Sequence, residues 1–186
     1  VPDLVQAAKA RPGELTYGSW FIGSPGHVGA AMLQAATDTS MTHVPFKDMA
    51  QLYAAVANGD VAWAFGSAAS AGPMYRAGKV KFLAVAAPKR VAGFPEVRTV
   101  AEAGGPREFE VKSWIALLAP RGTPKPIVTR INRDIAKILA EPDLQQRLTA
   151  IGFEALALSP EEIAAAIAVE SRRYGDIVKH AKISLN

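Results

Sequence analysis

The residues best suited to chemistry lie in one junction, residues 19–27 (SWFIGSPGH), between a predicted strand and a predicted helix. Ser24 is a favourable N-cap, and Pro25 is a favourable first helical residue. The unpaired backbone N–H groups of such a first turn attract anions, because the positive end of the helix dipole lies there. Gly23 and Gly26 allow a ligand to approach the backbone closely. The junction therefore predicts an anion site, while a plain N-capped helix has the same pattern.

Two further junctions are expected to face the same cleft. One predicted strand ends at Phe65 and is followed by Gly66 and Ser67, and another ends just before Phe46 and Lys47. Ligands of open α/β sheets bind at the carboxyl ends of the strands, so the three junctions should meet there. The candidate ligand-binding residues are Ser19, Trp20, Gly23, Ser24, Gly26, His27, Phe46, Lys47, Gly66 and Ser67.

Catalytic patterns are weak. The sequence contains no Gly-x-Ser-x-Gly elbow, no phosphate-binding glycine motif and no pair of histidines at metal-ligand spacing. A serine nucleophile at position 19 or 24 can be combined with His27 and Asp48, which leaves a hydrolase as one alternative. The simpler interpretations are that His27 bonds to its own loop and that His43 is a satisfied strand residue. We predict no catalytic residue, no metal site and no cofactor.

Composition narrows the class of protein. The 186 residues are 49% hydrophobic and 20% charged, as in a globular chain with a sizeable core, and no apolar run reaches the ~20 residues of a membrane span. The absence of cysteine excludes disulfides and thiol nucleophiles. The net charge of +4 comes without a basic stripe, which argues against nucleic acid as a partner. The chain begins with Val-Pro and shows no leader pattern, so we expect a processed chain or a piece of a longer one.

Hydrophobic periodicity predicts alternating strands and helices in the first half, and therefore βαβ units with a mostly parallel sheet. The predicted strands are 15–19, 41–45, 61–65 and 80–86, and the predicted helices are 25–36, 49–57 and one that ends at Gly78. Residues 87–113 are expected to be irregular, with one short helix at 99–103.

The second half is predicted to be mainly helical, with a boundary near 111–114. Short strands are expected at 115–119 and 153–157. Helices are expected to start at Pro124, near Pro142 and at Pro160, the last one with a capping box formed by Ser159 and Glu162.

Several segments, in the right order along most of the chain, resemble the receptor family of tripartite tricarboxylate transporters, also called Bug proteins. The family's Tyr-Ala-Ser-x-Gly-x-Gly-Thr-x-x-His loop is similar to Tyr17, Gly18, Ser19, Gly23, Ser24 and His27. Its His-Val-Pro-Tyr-Lys-Gly segment is similar to residues 43–48, and its Gly-x-Val-Asp-x-x-Phe-Asp segment to residues 59–66. Further similar segments are 77–79, 83–85, 95–104, Trp114 and 117–124.

The resemblance implies an α/β fold of the type II periplasmic-binding-protein kind, with a mostly parallel sheet flanked by helices. Residues 1–110 are then the second lobe, and residues 111–186 are the helix-rich C-terminal part of the first lobe, with the family's N-terminal segment absent. It also implies a periplasmic receptor, not an enzyme, that captures a small organic carboxylate and delivers it to membrane permease subunits. The truncated form is expected to be able to dimerise.

The sequence departs from the family pattern at positions that bear on the ligand. Trp20 and Phe21 replace small residues, which favours an apolar or aromatic acid over a highly charged tricarboxylate. Gly66 and Ala62 replace aspartates, and the loss of a carboxylate at position 66 argues against an amino-acid ligand. Asp48 replaces a glycine, and either adds a negative charge near the site or caps a helix. An alternative from another class is the effector-binding domain of a transcriptional regulator, since such domains share this lobed fold.

Overall fold

A computed structural model describes residues 1–181, 183 and 184 of the chain. Its sheet has three parallel strands, which are β1 (Thr16–Ser19), β2 (Thr42–Pro45) and β3 (Trp63–Ala64), in the order β2-β1-β3. On the central strand, Tyr17 lies opposite His43 on one side and Trp63 on the other. Because the strands are parallel, their carboxyl ends share one edge of the sheet. The predicted α/β class with a parallel sheet is confirmed.

Helices follow each strand and make up most of the second half. Within the described residues they are α1 (Pro2–Ala10), α2 (Pro25–Thr37), α3 (Met49–Asn58), α4 (Ala68–Arg76), α5 (Lys125–Leu139), α6 (Pro142–Ala150) and α7 (Pro160–His180). The predicted helices of the first half are confirmed to within one or two residues. Helix α1 was not predicted, because its start signals are limited to Pro2 and Asp3 in the first turn and Val1 supplies no side-chain cap.

Local chemistry explains where these helices begin and end. Ser24, Asp48 and Ser159 each accept a backbone N–H three residues later, at the start of α2, α3 and α7. Asp48 is therefore a helix cap, the second of the two interpretations of this residue. Helix α3 stops at Gly59, which has φ +82°, a conformation that glycine adopts without strain.

Two apolar cores cover the two faces of the sheet. On one face, α2 packs against the aromatic residues of β1 and β3, and the buried members of this core are Ala8, Tyr17, Ala30, Leu33, Met41, Trp63, Val100 and Phe109. On the other face, α3 and α4 contribute Leu52, Tyr53 and Ala71, with Trp20 and Phe46 packed against them. Side chains alternate between the faces along β1, so Tyr17 and Ser19 share the α2 side.

The predicted strand at 80–86 is wrong as a regular strand. Val85 forms an isolated parallel bridge with Thr99, and the carbonyl of Ala86 accepts a bond from Val111 N–H. The predicted helix at 99–103 is a single turn, closed by the bond from Ala103 N–H to Thr99 O. A strand needs a continuous neighbour to pair with, and here the neighbouring segment turns away after one bridge.

The predicted strands at 115–119 and 153–157 are also wrong, because neither segment has a strand partner among the described residues. In the first of them, Ile115 is 83% exposed and Leu118 75% exposed. No residue of α5, α6 or α7 is fully buried. Within the described residues, no helix is both long and apolar enough to cross a membrane.

Helix α7 is attached to the rest of the chain by polar contacts. Tyr174 Oη donates to the carbonyl of Lys112 at 2.9 Å and accepts from the N–H of the same residue at 3.1 Å. Arg173 donates to the carbonyl of Glu110 at 3.1 Å. The end of the predicted first segment, near residue 110, is therefore fastened to the last helix.

Candidate functional site

The junction after β1 is held in a strained conformation. Phe21 has φ +135°, in the region that residues with a β-carbon avoid. Its carbonyl oxygen accepts two bonds, from Ser19 Oγ at 2.9 Å and from Ser24 N–H at 3.3 Å. Ser24 in turn accepts the N–H of His27 at 3.3 Å, as an N-cap. Both serines are fully buried, so their hydroxyl groups hold the loop and do not face solvent.

His43 extends this arrangement from the neighbouring strand. Its Nε2 lies 2.7 Å from Ser19 Oγ. Ser19 has a single hydroxyl proton, which it donates to Phe21 O, so it must accept the Nε2–H of His43. The sequence interpretation of His43 as a satisfied strand residue did not connect it to the loop.

The imidazole of His27 stacks on that of His43, with ring centroids 3.8 Å apart and an angle of 16° between the planes. His27 Nδ1 accepts the N–H of Gly23 at 3.1 Å, so this nitrogen carries no proton. The ring of Tyr17 also stacks on His43, with centroids 5.0 Å apart, and it lies 6.2 Å from the ring of His27. Burial lowers the pKa of His27. Burial and the charge of His27 lower the pKa of His43 to about 4.

Trp20 packs over the start of α2 instead of projecting into open solvent. A β-carbon at position 26 would lie 2.8 Å from Trp20 Cζ3 and 3.4 Å from the carbonyl oxygen of Phe65, so only glycine fits at Gly26. Phe46 packs into the same apolar core as Trp20, and its N–H donates to the carbonyl of Ser19 at 2.8 Å. The structure therefore brings the three predicted junctions together through Trp20, Phe46 and Phe65.

The junction after β3 forms a small hydroxyl cluster. Ser67 caps α4, its Oγ lies 2.7 Å from Ser70 Oγ, and Ser70 Oγ lies 2.7 Å from the hydroxyl of Tyr53. A β-carbon at Gly66 would meet that hydroxyl at 2.5 Å. Burial is the main cause of the raised pKa of Tyr53, so the phenol stays protonated as a donor. The space where the family pattern has an aspartate is thus occupied by a tyrosine hydroxyl.

Sequence reasoning missed Tyr53, Ser70 and His43. The register of β2 against β1 could have identified His43, because a residue of β2 that lies opposite Tyr17 is on the same face of the sheet as Ser19. No comparable signal marked Tyr53, which lies one helical turn inside α3 and reaches the site only through the packing of α3 against α4. Lys47 is exposed and makes no ion pair within the described part of the chain. The role of all ten candidate residues in binding stays a prediction.

The arrangement does not support a serine nucleophile. Ser19 and His43 are within hydrogen-bond distance, but the serine is fully buried, and its Oγ accepts a hydrogen bond from the imidazole instead of donating one to it. Ser24 bonds to the backbone of His27, and Asp48 accepts from the backbone of Gln51 at 2.8 Å. The combination of serine, His27 and Asp48 considered from the sequence is therefore not assembled.

The strand ends form an open surface. A cavity of about 540 Å³ lies elsewhere, between α2 and the C-terminal part of α7, and of the candidates it includes only His27. The features of the open surface are backbone donors at a helix start, capped helices and aromatic walls at the carboxyl edge of a parallel sheet. Backbone donors at a helix start at this edge of a parallel sheet are able to hold a small anion.

Comparison with known proteins identifies the family. The model of the tripartite tricarboxylate transporter family receptors matches residues 1–183. The chain belongs to this family, whose members include the Bug-type receptors.

Solved structures with the same fold agree with this family assignment. The chain is similar to R. palustris Rpa4515 with adipate, at 34% identity and a TM-score of 0.91 over 99% of this chain and 61% of that one. It is similar to MatC from Rhodopseudomonas palustris with bound malate, at 31% identity and a TM-score of 0.81 over 96% of this chain and 61% of the other. It is also similar to the periplasmic binding protein BugD, at 26% identity and a TM-score of 0.84 over 99% and 62% of the two chains.

The curated relatives are longer than this chain. A protein encoded in the tcbD-tcbE intergenic region of Pseudomonas sp. strain P51 is 31% identical over 186 residues, which is the whole of this chain and 55% of that protein. The chain thus spans about half the length of the curated relatives that it matches.

Proposed function

We propose that this chain is the main part of a periplasmic solute-binding receptor, which captures a small organic carboxylate and delivers it to the permease of a tripartite transporter. The observation that carries the proposal is the family match over residues 1–183, together with a fold that is shared at TM-score 0.91 with an adipate complex. The periplasmic location is supported by the similarity to BugD, a periplasmic binding protein. The receptor carries out no chemistry on its ligand.

The ligand carboxylate is placed at the start of α2. There the N–H of Gly26 has no acceptor among the described residues, and the helix dipole favours a negative charge. The hydroxyl cluster of Tyr53, Ser67 and Ser70 lies at the neighbouring strand end and supplies neutral donors. Lys47 is the only basic residue in the three junctions, so the site suits one carboxylate group better than three.

The apolar walls favour a ligand with an apolar body. Phe21 is 54% exposed and Ile22 is 36% exposed at the mouth of the junction, while Trp20 closes its floor. A linear dicarboxylate such as adipate, or an aromatic acid, would bury its chain against these side chains. Citrate would place charged groups there without partners, at a desolvation cost.

We also propose that residues 1–110 form the second lobe and residues 111–186 a part of the first. The exposed apolar side chains of the second segment support this division, and they include Trp114, Ile115, Leu117, Leu118, Ile127 and Ile131. In the matched structures a further 39% of the chain lies outside the region shared with this one. Such a segment would cover this face. Nothing in the comparisons supports the expected dimer, and it is not proposed.

A calorimetric screen of the full-length receptor tests the function. Adipate, malate, benzoate and citrate are titrated in turn, and we expect adipate or benzoate to bind with at least about tenfold higher affinity than citrate. Lys79, exposed beyond the far end of α4, provides a control substitution for any effect of surface charge. Absence of binding by every acid would contradict the carboxylate function, and preference for citrate would contradict the ligand class only.

A further inference from the structure

We propose that His43 is a positioning residue for the carboxylate loop: it acts through Ser19 to orient the Phe21–Ile22 peptide, so that the Ile22 N–H becomes a ligand donor. The inference rests on the proposed function, since it assumes that this loop holds the carboxylate. It adds a residue on β2 and a backbone donor that were not among the ten candidates.

The proton positions follow from the hydrogen bonds. His43 Nε2–H donates to Ser19 Oγ at 2.7 Å, and Ser19 Oγ–H donates to Phe21 O at 2.9 Å. We call these two hydrogen bonds the relay. It runs in one direction only, from His43 through Ser19 to Phe21, because Ser19 has one hydroxyl proton and a carbonyl oxygen can only accept. Ser19 is fully buried, so water does not replace either partner.

The orientation of the Ile22 N–H follows from the planarity of the peptide. In a trans peptide the carbonyl of residue 21 and the N–H of residue 22 point in opposite directions. The structure contains no cis peptide bonds in its described part. Since the carbonyl of Phe21 points inward to Ser19 and Ser24, the N–H of Ile22 points outward, and it has no acceptor among the described residues.

His27 fixes the imidazole that begins the relay. It stacks on His43 with ring centroids 3.8 Å apart, and the ring of Tyr17 lies 5.0 Å from His43 and 6.2 Å from His27, so the ring of His43 is in contact with two aromatic neighbours. His27 Nδ1 also accepts the N–H of Gly23, which removes that donor from the ligand site. The N–H groups of Ile22 and Gly26 have no acceptor among the described residues and are available to a carboxylate.

Strain explains why the relay is needed. A φ of +135° at Phe21 is unfavourable for a residue with a side chain. Without the bond from Ser19, the carbonyl of Phe21 would be held by the Ser24 N–H alone, and the peptide would rotate more readily toward an unstrained conformation. Its carbonyl would then face the cleft, where it would repel a carboxylate.

Three variants of the full-length receptor separate the relay from simple packing. His43→Phe keeps an aromatic ring in the stack but removes the donor, His43→Gln restores an N–H donor at a similar reach, and Ser19→Ala breaks the relay in the middle. His180→Phe is the control, since among the described residues the hydrogen bond of His180 goes to its own helix, at Asp176 O.

The first measurement needs no ligand. Amide hydrogen exchange by NMR should show the N–H of Ser24, whose acceptor is Phe21 O, exchanging at least about tenfold faster in His43→Phe and Ser19→Ala. It should be unchanged in His43→Gln and His180→Phe. If the amides of α3 accelerate equally in His43→Phe, or if His43→Gln fails to restore slow exchange, the residue is merely structural and the proposal is wrong.

The second measurement is the adipate affinity of the same proteins. We expect His43→Phe and Ser19→Ala each to weaken binding about 3- to 10-fold, the usual range for one neutral hydrogen bond. The double variant should be no weaker than Ser19→Ala, because both changes break one relay. Unchanged affinity in both single variants would overturn the proposal. If the unmodified receptor does not bind adipate, the ligand assignment fails, and the exchange measurement still decides whether His43 positions the loop.

Discussion

Phe21 has a strained backbone and an exposed side chain, so substitutions at this position can test the strain with little loss of packing. Its φ is +135° and its side chain is 54% exposed. Phe21→Gly removes the strain and Phe21→Ala retains it, while both remove the ring. We expect the glycine variant to have the higher free energy of unfolding, by about 1 kcal/mol, against the usual order of these residues. Chemical denaturation measures this, and a more stable alanine variant would show that the conformation is not strained.

The stacked histidines predict a dependence of stability on pH. The pKa of His43 is about 4 in the folded protein, against an ordinary value near 6.5 in the unfolded chain. Above pH 6.5 both states are neutral and the stability is complete. Between pH 6.5 and 4 only the unfolded chain takes up the proton, so stability falls as the pH falls, by about 1–2 kcal/mol for a partly buried ring.

Comparison with His43→Gln separates the contribution of His43 to the pH dependence of stability from the contribution of the carboxyl groups. The loss of stability between pH 6.5 and 4 should be smaller in the variant than in the unmodified protein, as measured by urea denaturation. His180→Gln serves as the control and should keep the original slope. Equal slopes in all three proteins would mean that the His43 ring is not held neutral by burial and by His27.

Lys47 tests whether the site uses backbone donors or a charged side chain. It is exposed and forms no ion pair within the described chain. Lys47→Ala should therefore cost less than the ~1.5–3 kcal/mol of a hydrogen bond to a charged group, and affinity should change little between low and high salt. Calorimetry with adipate measures both effects, with Lys79→Ala alongside. A larger loss would place Lys47 at the carboxylate.

The candidate site shows what residue types and spacing can predict. The cap at Ser24 and the meeting of the junctions at one edge of the sheet were predicted from local signals and from the rule for parallel sheets. Gly26 was expected to admit a ligand, and the side chain that lies against it is that of Trp20. The partners of Ser19 were not, because they depend on which residue of β2 lies beside β1. That register is a tertiary property, and residues such as His43 and Tyr53 enter the site only once the strands and helices are packed.

At the scale of elements, helices were predicted better than strands. Helix α7 carries its own start signal in the capping box, and α3 carries both a cap and a stop. The apolar runs at 80–86, 115–119 and 153–157 carry no information about a partner strand. A helix satisfies its own backbone, whereas a strand requires a neighbour, so the same apolar composition predicts one element more securely than the other.

The capping box of α7 predicts a measurable contribution to stability. Ser159 accepts the N–H of Glu162 at 3.2 Å, and Glu162 Oε2 accepts from Ser159 N–H at 2.8 Å. These bonds lower the pKa of Glu162. Ser159→Ala should reduce the free energy of unfolding by about 1 kcal/mol, whereas Ser171→Ala, an exposed change within the same helix, should not reduce it. Equal effects in a urea titration would mean that the box does not stabilise the helix.

At the scale of the whole molecule, the two segments differ in how well they bury their apolar residues. Every residue of the two buried cores lies before position 110, while Ile115, Leu117 and Leu118 are 70–83% exposed. On α5, Ile127 and Ile131 are 49% and 40% exposed. Large exposed apolar surfaces are unusual in monomeric proteins, so this face is expected to be covered in the full-length receptor.

Covering this face and closing the cleft are expected to be the same event, which predicts weak binding by the 186-residue chain alone. A micromolar ligand needs about −8 kcal/mol, and one helix N-terminus contributes ~0.3–1 kcal/mol, or up to ~2 kcal/mol when partly buried. Two or three further hydrogen bonds leave the ligand half in water. Calorimetry should therefore show adipate binding at least about 100-fold weaker in this chain than in the full-length receptor.

A pair of variants tests whether the exposed apolar face is the reason for the weak binding by the chain alone. Ile115→Ser should destabilise the full-length receptor by about 2 kcal/mol or more, because we expect its side chain to be covered there, and should leave the 186-residue chain almost unchanged. Leu83→Ser, at a side chain 52% exposed in the first segment, is the control and should have a small effect in both proteins. Micromolar affinity in the chain alone, with no added cost of Ile115→Ser in the full-length receptor, would mean that one lobe is sufficient to hold the ligand.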